Sequence, residues 1–99
     1  MVTRIVKMTF RSEACEDFLA LFHQYKDQIR NADGCKSLTL MRCVEEPNIF
    51  FTYSQWVDEK HLDDYRFSDT FAKVWPQTKI LFEAAPEAWT NEVMVEMNE

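Results

Sequence analysis

Only a few side chains of this 99-residue sequence are of types that commonly carry out chemistry. His23 could act as a general base, because histidine titrates near neutral pH, or it could be a solvated histidine on the flank of a helix. Arg42 could bind an anion in a pocket, or it could pair with a carboxylate at the margin of a sheet. His61 is predicted to be exposed. The sequence shows no Ser-His-Asp pattern, and its single glycine, Gly34, excludes both GxGxxG and P-loop motifs.

The aromatic residues are the second group that could form a site, because several of them recur at the spacing of helices and strands. Such rings can wall a dry pocket for an aromatic molecule, although more often they pack in a core. Both interpretations stay open for Phe22, Tyr25, Trp56, Tyr65, Phe67, Phe71 and Trp75.

The composition indicates which classes of partner the chain can bind and in which cellular compartment we expect it. It carries 11 basic and 17 acidic residues, a formal net charge of −6, so nucleic-acid backbones and anionic membranes would repel it. No apolar run approaches the length of about 20 residues that a membrane span needs. The three cysteines lack CxxC spacing, which favours a reducing cytoplasm over a disulfide framework or a zinc site. We therefore expect one cytoplasmic domain over residues 1–99, with no nucleic-acid or membrane partner.

The elements that position these residues follow from the apolar periodicity. The first is a strand with one face formed by Val2, Arg4, Val6, Met8 and Phe10. Ser12 is predicted to cap a helix that continues to about residue 30, and Gly34 to adopt a left-handed conformation after it. Alternation then predicts strands over residues 35–44 and 49–57, joined by a tight turn.

The second half of the sequence predicts further helices and a last strand. Asp58 is predicted to cap a short helix, Ser68 or Asp69 to start a second helical segment, and Pro76 to begin a third that runs to about Phe82. The last strand is predicted over residues 88–97. This order is typical of an α+β, ferredoxin-like βαββαβ fold, in which helices cover one face of an antiparallel four-stranded sheet.

The other face of that sheet has no helices, although both sides of the third strand are apolar. Phe50 and Trp56 lie on one side of the strand, and Phe51 and Tyr53 on the other. Leaving the second side in water would expose a larger apolar patch than soluble monomers usually carry. The pattern predicts a two-fold homodimer with the two sheets packed face to face; a monomer with exposed aromatic residues is the alternative.

A longer motif surrounds the tryptophan at the end of the third strand. The sequence Tyr53-Ser54-Gln55-Trp56-Val57-Asp58-Glu59, followed by Leu62, Tyr65, Ser68 and Phe71, resembles the signature of the antibiotic biosynthesis monooxygenase (ABM) domain. In element order the resemblance extends over nearly the whole chain. It implies a dimeric α+β barrel with a pocket between helices and sheet in each subunit. The family includes cofactor-independent oxygenases of polyketide anthrones or quinols, and a branch that degrades heme.

The sequence departs from the family pattern at three positions. Tyr65 stands where the wider family commonly has a histidine on the second helix, and it keeps a hydroxyl in that place. The heme-degrading branch has an asparagine, a tryptophan and an iron-ligating histidine where this chain has Val6, Tyr65 and Trp75. Because indole offers iron no lone pair and valine cannot hydrogen-bond a bound oxygen, heme chemistry is not expected.

The resemblance implies a cofactor-independent monooxygenase that acts on a small aromatic, quinol- or anthrone-like molecule and binds no metal. On this interpretation Tyr65 and His23 are the catalytic candidates, as a proton donor and a base. The candidates for substrate binding are Phe22, Arg42, Trp56, Phe71 and Trp75. The alternatives are a small-molecule-binding or stress-related dimer without the chemistry, and a purely structural interaction module.

Overall fold

The order of helices and strands follows the predicted topology in a computed structural model that describes residues 1–98. The elements are β1 (Val2–Thr9), α1 (Cys15–Arg30), β2 (Cys35–Arg42), β3 (Ile49–Trp56), α2 (Glu59–Arg66), α3 (Asp69–Lys79) and β4 (Glu87–Glu92). The strands form one antiparallel sheet in the order β2-β3-β1-β4. This topology confirms the α+β, ferredoxin-like fold. None of the helices in the described part of the chain is long and apolar enough to cross a membrane.

The strand register decides which residues share a face of the sheet. Met8 of β1 lies opposite Phe50 of β3, and both are buried in a cluster with Phe18 of α1. Ile5 of β1 lies opposite Trp89 of β4 and points to the other side, because side chains alternate along a strand. We call the side of Met8 and Phe50 the helix-covered face, and the side of Ile5 and Trp89 the open face.

Two of the helices begin at predicted capping residues. The Asp58 carboxylate accepts a hydrogen bond from the backbone N–H of His61 (2.8 Å) at the start of α2, and the Ser68 hydroxyl accepts one from the N–H of Phe71 (3.3 Å) at the start of α3. Gly34 has the predicted left-handed conformation, with φ of +83°. A Cβ atom at Gly34 would meet the His61 side chain at 2.5 Å, so this contact also requires glycine.

Ser12 does not cap an α-helix and Pro76 does not begin one, contrary to the prediction. Ser12 opens a 3₁₀ turn, Ser12–Ala14, that leads directly into α1 without any side-chain cap. Glu16 and Asp17 in the first turn favour this helix start through the helix dipole. At Pro76, α3 continues without a break, so the third helical segment is absent.

Packing on both sides of the proline explains the continuity of α3. Phe71 and Trp75 stack at 5.7 Å before Pro76, and Thr78 after it is buried and donates a hydrogen bond to the Val74 carbonyl (2.9 Å). These contacts offset the backbone hydrogen bond that a proline cannot donate.

The last strand is shorter than predicted, because its neighbour β1 ends. Glu92 pairs with Val2 at the first residue of β1, and the backbone N–H of Val93 makes one more bond, to the Met1 carbonyl (3.2 Å). Residues 93–97 are not part of the sheet.

The core occupies the helix-covered face and consists of two clusters. The larger is formed by Met8, Phe10, Cys15, Phe18 and Phe50. The smaller lies where β3 ends and α2 begins, and contains Cys35, Trp56 and Leu62, with Tyr65 packed against it.

The open face is apolar at its centre. Its apolar residues come from all four strands: Ile5, Met41, Phe51, Tyr53 and Trp89. Trp89 is 46% exposed and Met41 43% exposed. The segment after β4 turns over one edge of this surface, where Gln55 Nε2 donates a hydrogen bond to Glu96 Oε2 (3.0 Å).

Candidate functional site

A cavity of about 290 Å³ lies between the helix-covered face and the helices. Alternate residues of β1 and β3 form its floor, and all three helices contribute to its walls. Pro86 and Ala88, before and within β4, close one side. The volume is close to the lower end of the range for pockets that hold small organic molecules.

Aromatic rings form a continuous wall on one side of the cavity. Trp56 stacks on Tyr65 with centroids 5.2 Å apart and an interplanar angle of 29°. Tyr65 meets the edge of Phe71 at 5.5 Å, and Phe71 stacks on Trp75 at 5.7 Å. With Phe22 of α1, these rings make the cavity suited to a flat, apolar molecule.

A buried hydrogen bond fixes the orientation of the Trp56 ring. The indole Nε1–H donates to the Ser54 hydroxyl (2.9 Å), two residues earlier on the same side of β3. Trp56 is only 1% exposed and packs against Cys35 and Leu62. Its ring is therefore a fixed support for Tyr65.

Tyr65 keeps its phenolic proton over the physiological pH range. Burial, and to a smaller degree the nearby Cys35 thiol, raises the pKa of Tyr65 to about 12. A tyrosine with such a pKa is a poor base at neutral pH, and its O–H acts as a hydrogen-bond donor. In this cavity Tyr65 can stabilise negative charge on a ligand oxygen.

The start of α2 is anchored to the turn after α1, and this positions Tyr65. The His61 Nδ1 lies 2.6 Å from Asp58 Oδ1, and its Nε2 lies 3.7 Å from Asp33 Oδ2. The ring packs directly against Gly34. Since Tyr65 is one turn after His61, these contacts hold the tyrosine over Trp56.

Comparison with known proteins identifies the family. The family model described as antibiotic biosynthesis monooxygenase matches residues 1–75. The chain belongs to this family. No curated protein matches the chain.

Solved structures with the ABM fold resemble this chain over almost its entire length. One, of an antibiotic biosynthesis monooxygenase, has a TM-score of 0.89 at 18% identity and covers 96% of this chain and 100% of its own. A Mycobacterium tuberculosis protein has a TM-score of 0.89 at 20% identity, covering 98% of both chains. A conserved Methanosarcina mazei protein has a TM-score of 0.85 at 23% identity, covering 91% of this chain and 90% of its own. At these identities the likeness shows the shared fold.

The structure brings five of the seven predicted site residues of this ABM protein to one cavity. They are Phe22, Trp56, Tyr65, Phe71 and Trp75. The positions that distinguish the heme-degrading branch, Val6, Tyr65 and Trp75, also line it. The part that these residues play in binding or catalysis stays a prediction.

The two other predicted residues, His23 and Arg42, lie outside the cavity. Phe22 faces the cavity, so the next residue is rotated by about 100° around α1; His23 is exposed, with Nδ1 3.3 Å from Lys26 Nζ. Arg42 is at the end of β2, where its Nε donates to the Pro47 carbonyl (2.6 Å) and its guanidinium lies 4.9 Å from the centroid of Phe50. Neither side chain reaches the site in this structure.

Two arginines that were not among the predicted site residues line the cavity instead. Arg4 rises from β1 on the helix-covered face, and Arg66 ends α2. Arg4 Nη1 donates to the Thr90 hydroxyl of β4 (2.8 Å), and Arg66 Nη1 lies 3.6 Å from Asp63 Oδ1. The signal was available in the sequence: Arg4 is the only charged residue in the otherwise apolar face of the first strand.

The lining contains hydrogen-bond donors and cations but no strong proton acceptor. Within residues 1–98, no carboxylate, imidazole, amine or thiol side chain lines the cavity. Besides the tryptophans, its polar residues are the two arginines, Thr52, Ser54, Tyr65 and Thr78. Such a set can bind and stabilise an anion, whereas it cannot readily remove a proton at neutral pH.

Proposed function

We propose that this ABM protein is a cofactor-independent monooxygenase of a small aromatic, quinol- or anthrone-like substrate. The observation that supports the proposal is the cavity of about 290 Å³ walled by stacked aromatic rings, in a chain of this family. Its rings, Phe22, Trp56, Phe71 and Trp75, hold the substrate flat and exclude water.

The chemistry needs no external reductant. In an anthrone-like substrate, loss of a proton gives an electron-rich ring anion that transfers electrons to O₂. One oxygen atom becomes the new ring carbonyl, and the other leaves as water with both hydrogens of the original ring methylene. The substrate supplies all the electrons, so the protein has to orient it and stabilise negative charge.

Tyr65 has the role of donor in this proposal. Its raised pKa keeps the O–H intact, and the hydroxyl stabilises the oxyanion of the substrate. No protein base is assigned, because His23 lies outside the cavity and, among residues 1–98, no carboxylate, imidazole or amine side chain lines it.

Oxygen uptake tests the activity directly. Purified protein is mixed with a panel of quinols and anthrones without added metal or flavin, and we expect uptake above the rate of spontaneous oxidation. Tyr65→Phe should lower that rate at least several-fold. The matched control is Tyr25→Phe on α1, which removes the same hydroxyl outside the cavity lining and should keep the wild-type rate.

The lack of a base in the cavity lining favours a second candidate, a dimer that binds a small aromatic molecule without chemistry. Such a protein would bind quinols or anthrones, and quenching of the fluorescence of Trp56 and Trp75 would measure this binding. It would leave the rate of oxidation of these compounds unchanged. Mass spectrometry of a ligand that co-purifies with the protein would then identify what it holds.

The same proposal includes a homodimer formed by the open faces of two sheets. Phe51 and Tyr53 lie on that face, since Phe50 and Trp56 on the same strand are buried under the helices. Light scattering on a sizing column should give twice the chain mass of 11.8 kDa. Phe51→Lys should shift the protein towards monomer or aggregate, whereas Ala72→Lys, an equal charge on the exposed side of α3, should not.

A further inference from the structure

The two arginines of the cavity form its most polar feature. Arg4 and Arg66 come from different elements, β1 and α2, and both line a space whose other walls are mostly apolar. Burial lowers the pKa of the Arg4 guanidinium, and the charge of Arg66 lowers it further. Two like charges beside an apolar space repel each other, and an anion bound between them offsets that repulsion.

The carboxylate of Asp63 offsets only part of this positive charge. It lies 3.6 Å from Arg66 Nη1 on the same face of α2, and both side chains are about half exposed. The partner of Arg4 is the Thr90 hydroxyl, which carries no charge. The local charge at this end of the cavity is therefore positive in a chain whose net charge is −6.

We propose that this arginine pair binds an anionic oxygen carried by the aromatic ring of the ligand, either a carboxylate or an ionised hydroxyl. This inference rests on the proposed function and names the chemical class of its substrate. A guanidinium offers planar, paired donors that fit such an oxygen group, while the stacked rings of Trp56 and Trp75 hold the flat carbon frame.

The arginine pair also accounts for a cavity without a base. A ligand whose ring hydroxyl gives up its proton to solvent before the ring is enclosed, and which binds as the ionised hydroxyl, needs no protein side chain to remove that proton. The positive charge lowers the pKa of the bound hydroxyl, and Tyr65 donates a hydrogen bond to the same ligand. The donors and cations in the lining then stabilise the ionised hydroxyl, while its proton goes to solvent.

Matched naphthalene probes test the inference by quenching of tryptophan fluorescence. 2-Naphthoate and 2-naphthamide have the same shape, but only the first is charged. We expect the naphthoate to bind about tenfold or more tightly, since hydrogen bonds to charged groups exceed those to neutral ones. A second measurement follows the absorbance of bound 2-naphthol against pH, and we expect it to ionise at lower pH than the free molecule.

Substitutions of the arginines test whether the preference for naphthoate and the shift in naphthol ionisation depend on this pair. Arg66→Gln, at an exposed helix end, and Arg4→Gln should each reduce the preference for naphthoate and the shift in naphthol ionisation. Arg11→Gln removes the same charge outside the cavity and should keep both. Circular dichroism and melting temperature show whether Arg4→Gln is folded, and Arg66→Gln provides the test if it is not.

The outcomes separate this inference from the proposed function. Preference for naphthoate alone indicates a carboxylate ligand, and a shift in naphthol ionisation alone indicates a phenolate. Equal binding of acid and amide without any naphthol shift, or effects that persist in both cavity variants, overturns the inference while leaving the aromatic cavity as a binding site. Failure of all three probes to bind overturns both.

Discussion

The two ends of the helix-covered face are built from the same class of side chain and packed in different ways. At one end, which we call the phenylalanine end, the rings of Phe10, Phe18 and Phe50 fill the space, with Phe10 and Phe18 stacked at 4.2 Å. At the other, which we call the cavity end, the rings of Tyr65 and Trp75 border a space of about 290 Å³. Aromatic content therefore does not decide whether a region is core or site.

The difference lies in what surrounds the rings. At the phenylalanine end the neighbours are apolar and the rings meet from several directions, and of the three rings only Phe18 also borders the cavity. At the cavity end the rings form a row, each contacting the next, and the residues facing that row include two arginines. A well-packed apolar core seldom contains a void or borders charged groups, and on this ground we propose that the cavity end is a binding site.

The largest loss of stability is expected at the phenylalanine end. Phe10 is fully buried and contacts the rings of Phe18, Phe50 and Phe82. Phe10→Ala should lower the free energy of unfolding by about 3–5 kcal/mol in urea titrations, because it leaves a new cavity. Phe10→Leu should cost less and, if the comparison is right, keep the wild-type affinity for aromatic ligands. Loss of ligand binding by a well-folded Phe10→Leu protein would show that the two ends are not independent.

A pH-dependent loss of stability is expected from Tyr65 at the cavity end. Its pKa is raised from 10.0 to about 12 in the folded state, so the unfolded chain releases the proton first. The stabilisation is complete below pH 10 and is lost as the pH rises towards 12, in total about 2–3 kcal/mol. Tyr65→Phe should not show this loss of stability between pH 10 and pH 12. At pH 7 its free energy of unfolding should be within about 1.5 kcal/mol of wild type. Identical alkaline unfolding of the two proteins would place the Tyr65 hydroxyl in solvent.

Truncation at the cavity end should cost less than at the phenylalanine end. Trp75 already borders empty space, so Trp75→Ala enlarges an existing cavity and should lower the free energy of unfolding by about 1–3 kcal/mol. Trp75→Phe should change the order of affinities among ligands more than it changes stability. A loss for Trp75→Ala equal to that of Phe10→Ala would mean that the wall of the cavity is ordinary core.

The sequence was sufficient to predict which residues of β1 lie on each face of the sheet. The alternation of β1 correctly put Arg4 and Met8 on one side and Ile5 on the other, because a period of two leaves no choice once one side is buried. The caps at Asp58 and Ser68 were predictable for a similar reason: a side chain and a backbone donor three residues apart suffice.

The presence and size of the cavity could not be predicted from the sequence. Empty space depends on how far the helices stand from the sheet, and residue types alone do not determine that distance. Of the two alternatives for His23, the structure shows the exposed one, because a helix turns by about 100° per residue and a neighbour of a cavity residue faces elsewhere. The continuity of α3 through Pro76 was missed because packing of Trp75 and Thr78 outweighs the local preference of proline.

The smallest expected effect concerns the anchor of α2 at the cavity end. The side-chain hydrogen bond with Asp58 raises the pKa of His61, and the same bond lowers the pKa of Asp58. The His61 contribution to stability is therefore complete below its unfolded pKa of about 6.5 and is lost as the pH rises through the higher folded value. The Asp58 contribution is lost only in acid, as the pH falls through its lowered pKa.

Hydrogen exchange of α2 amides, corrected for intrinsic rates, measures this local effect as the pH is raised. We expect protection of α2 over the cavity to decrease while that of the buried β1 amides near Phe10 stays constant. His61→Gln should abolish the pH dependence, and His23→Gln, which removes an exposed histidine of α1, should retain it. A decrease of equal size at both ends, or its persistence in His61→Gln, would show that the His61–Asp58 pair does not anchor the cavity wall. Because the pair is on the surface, the effect should be small and should weaken with salt.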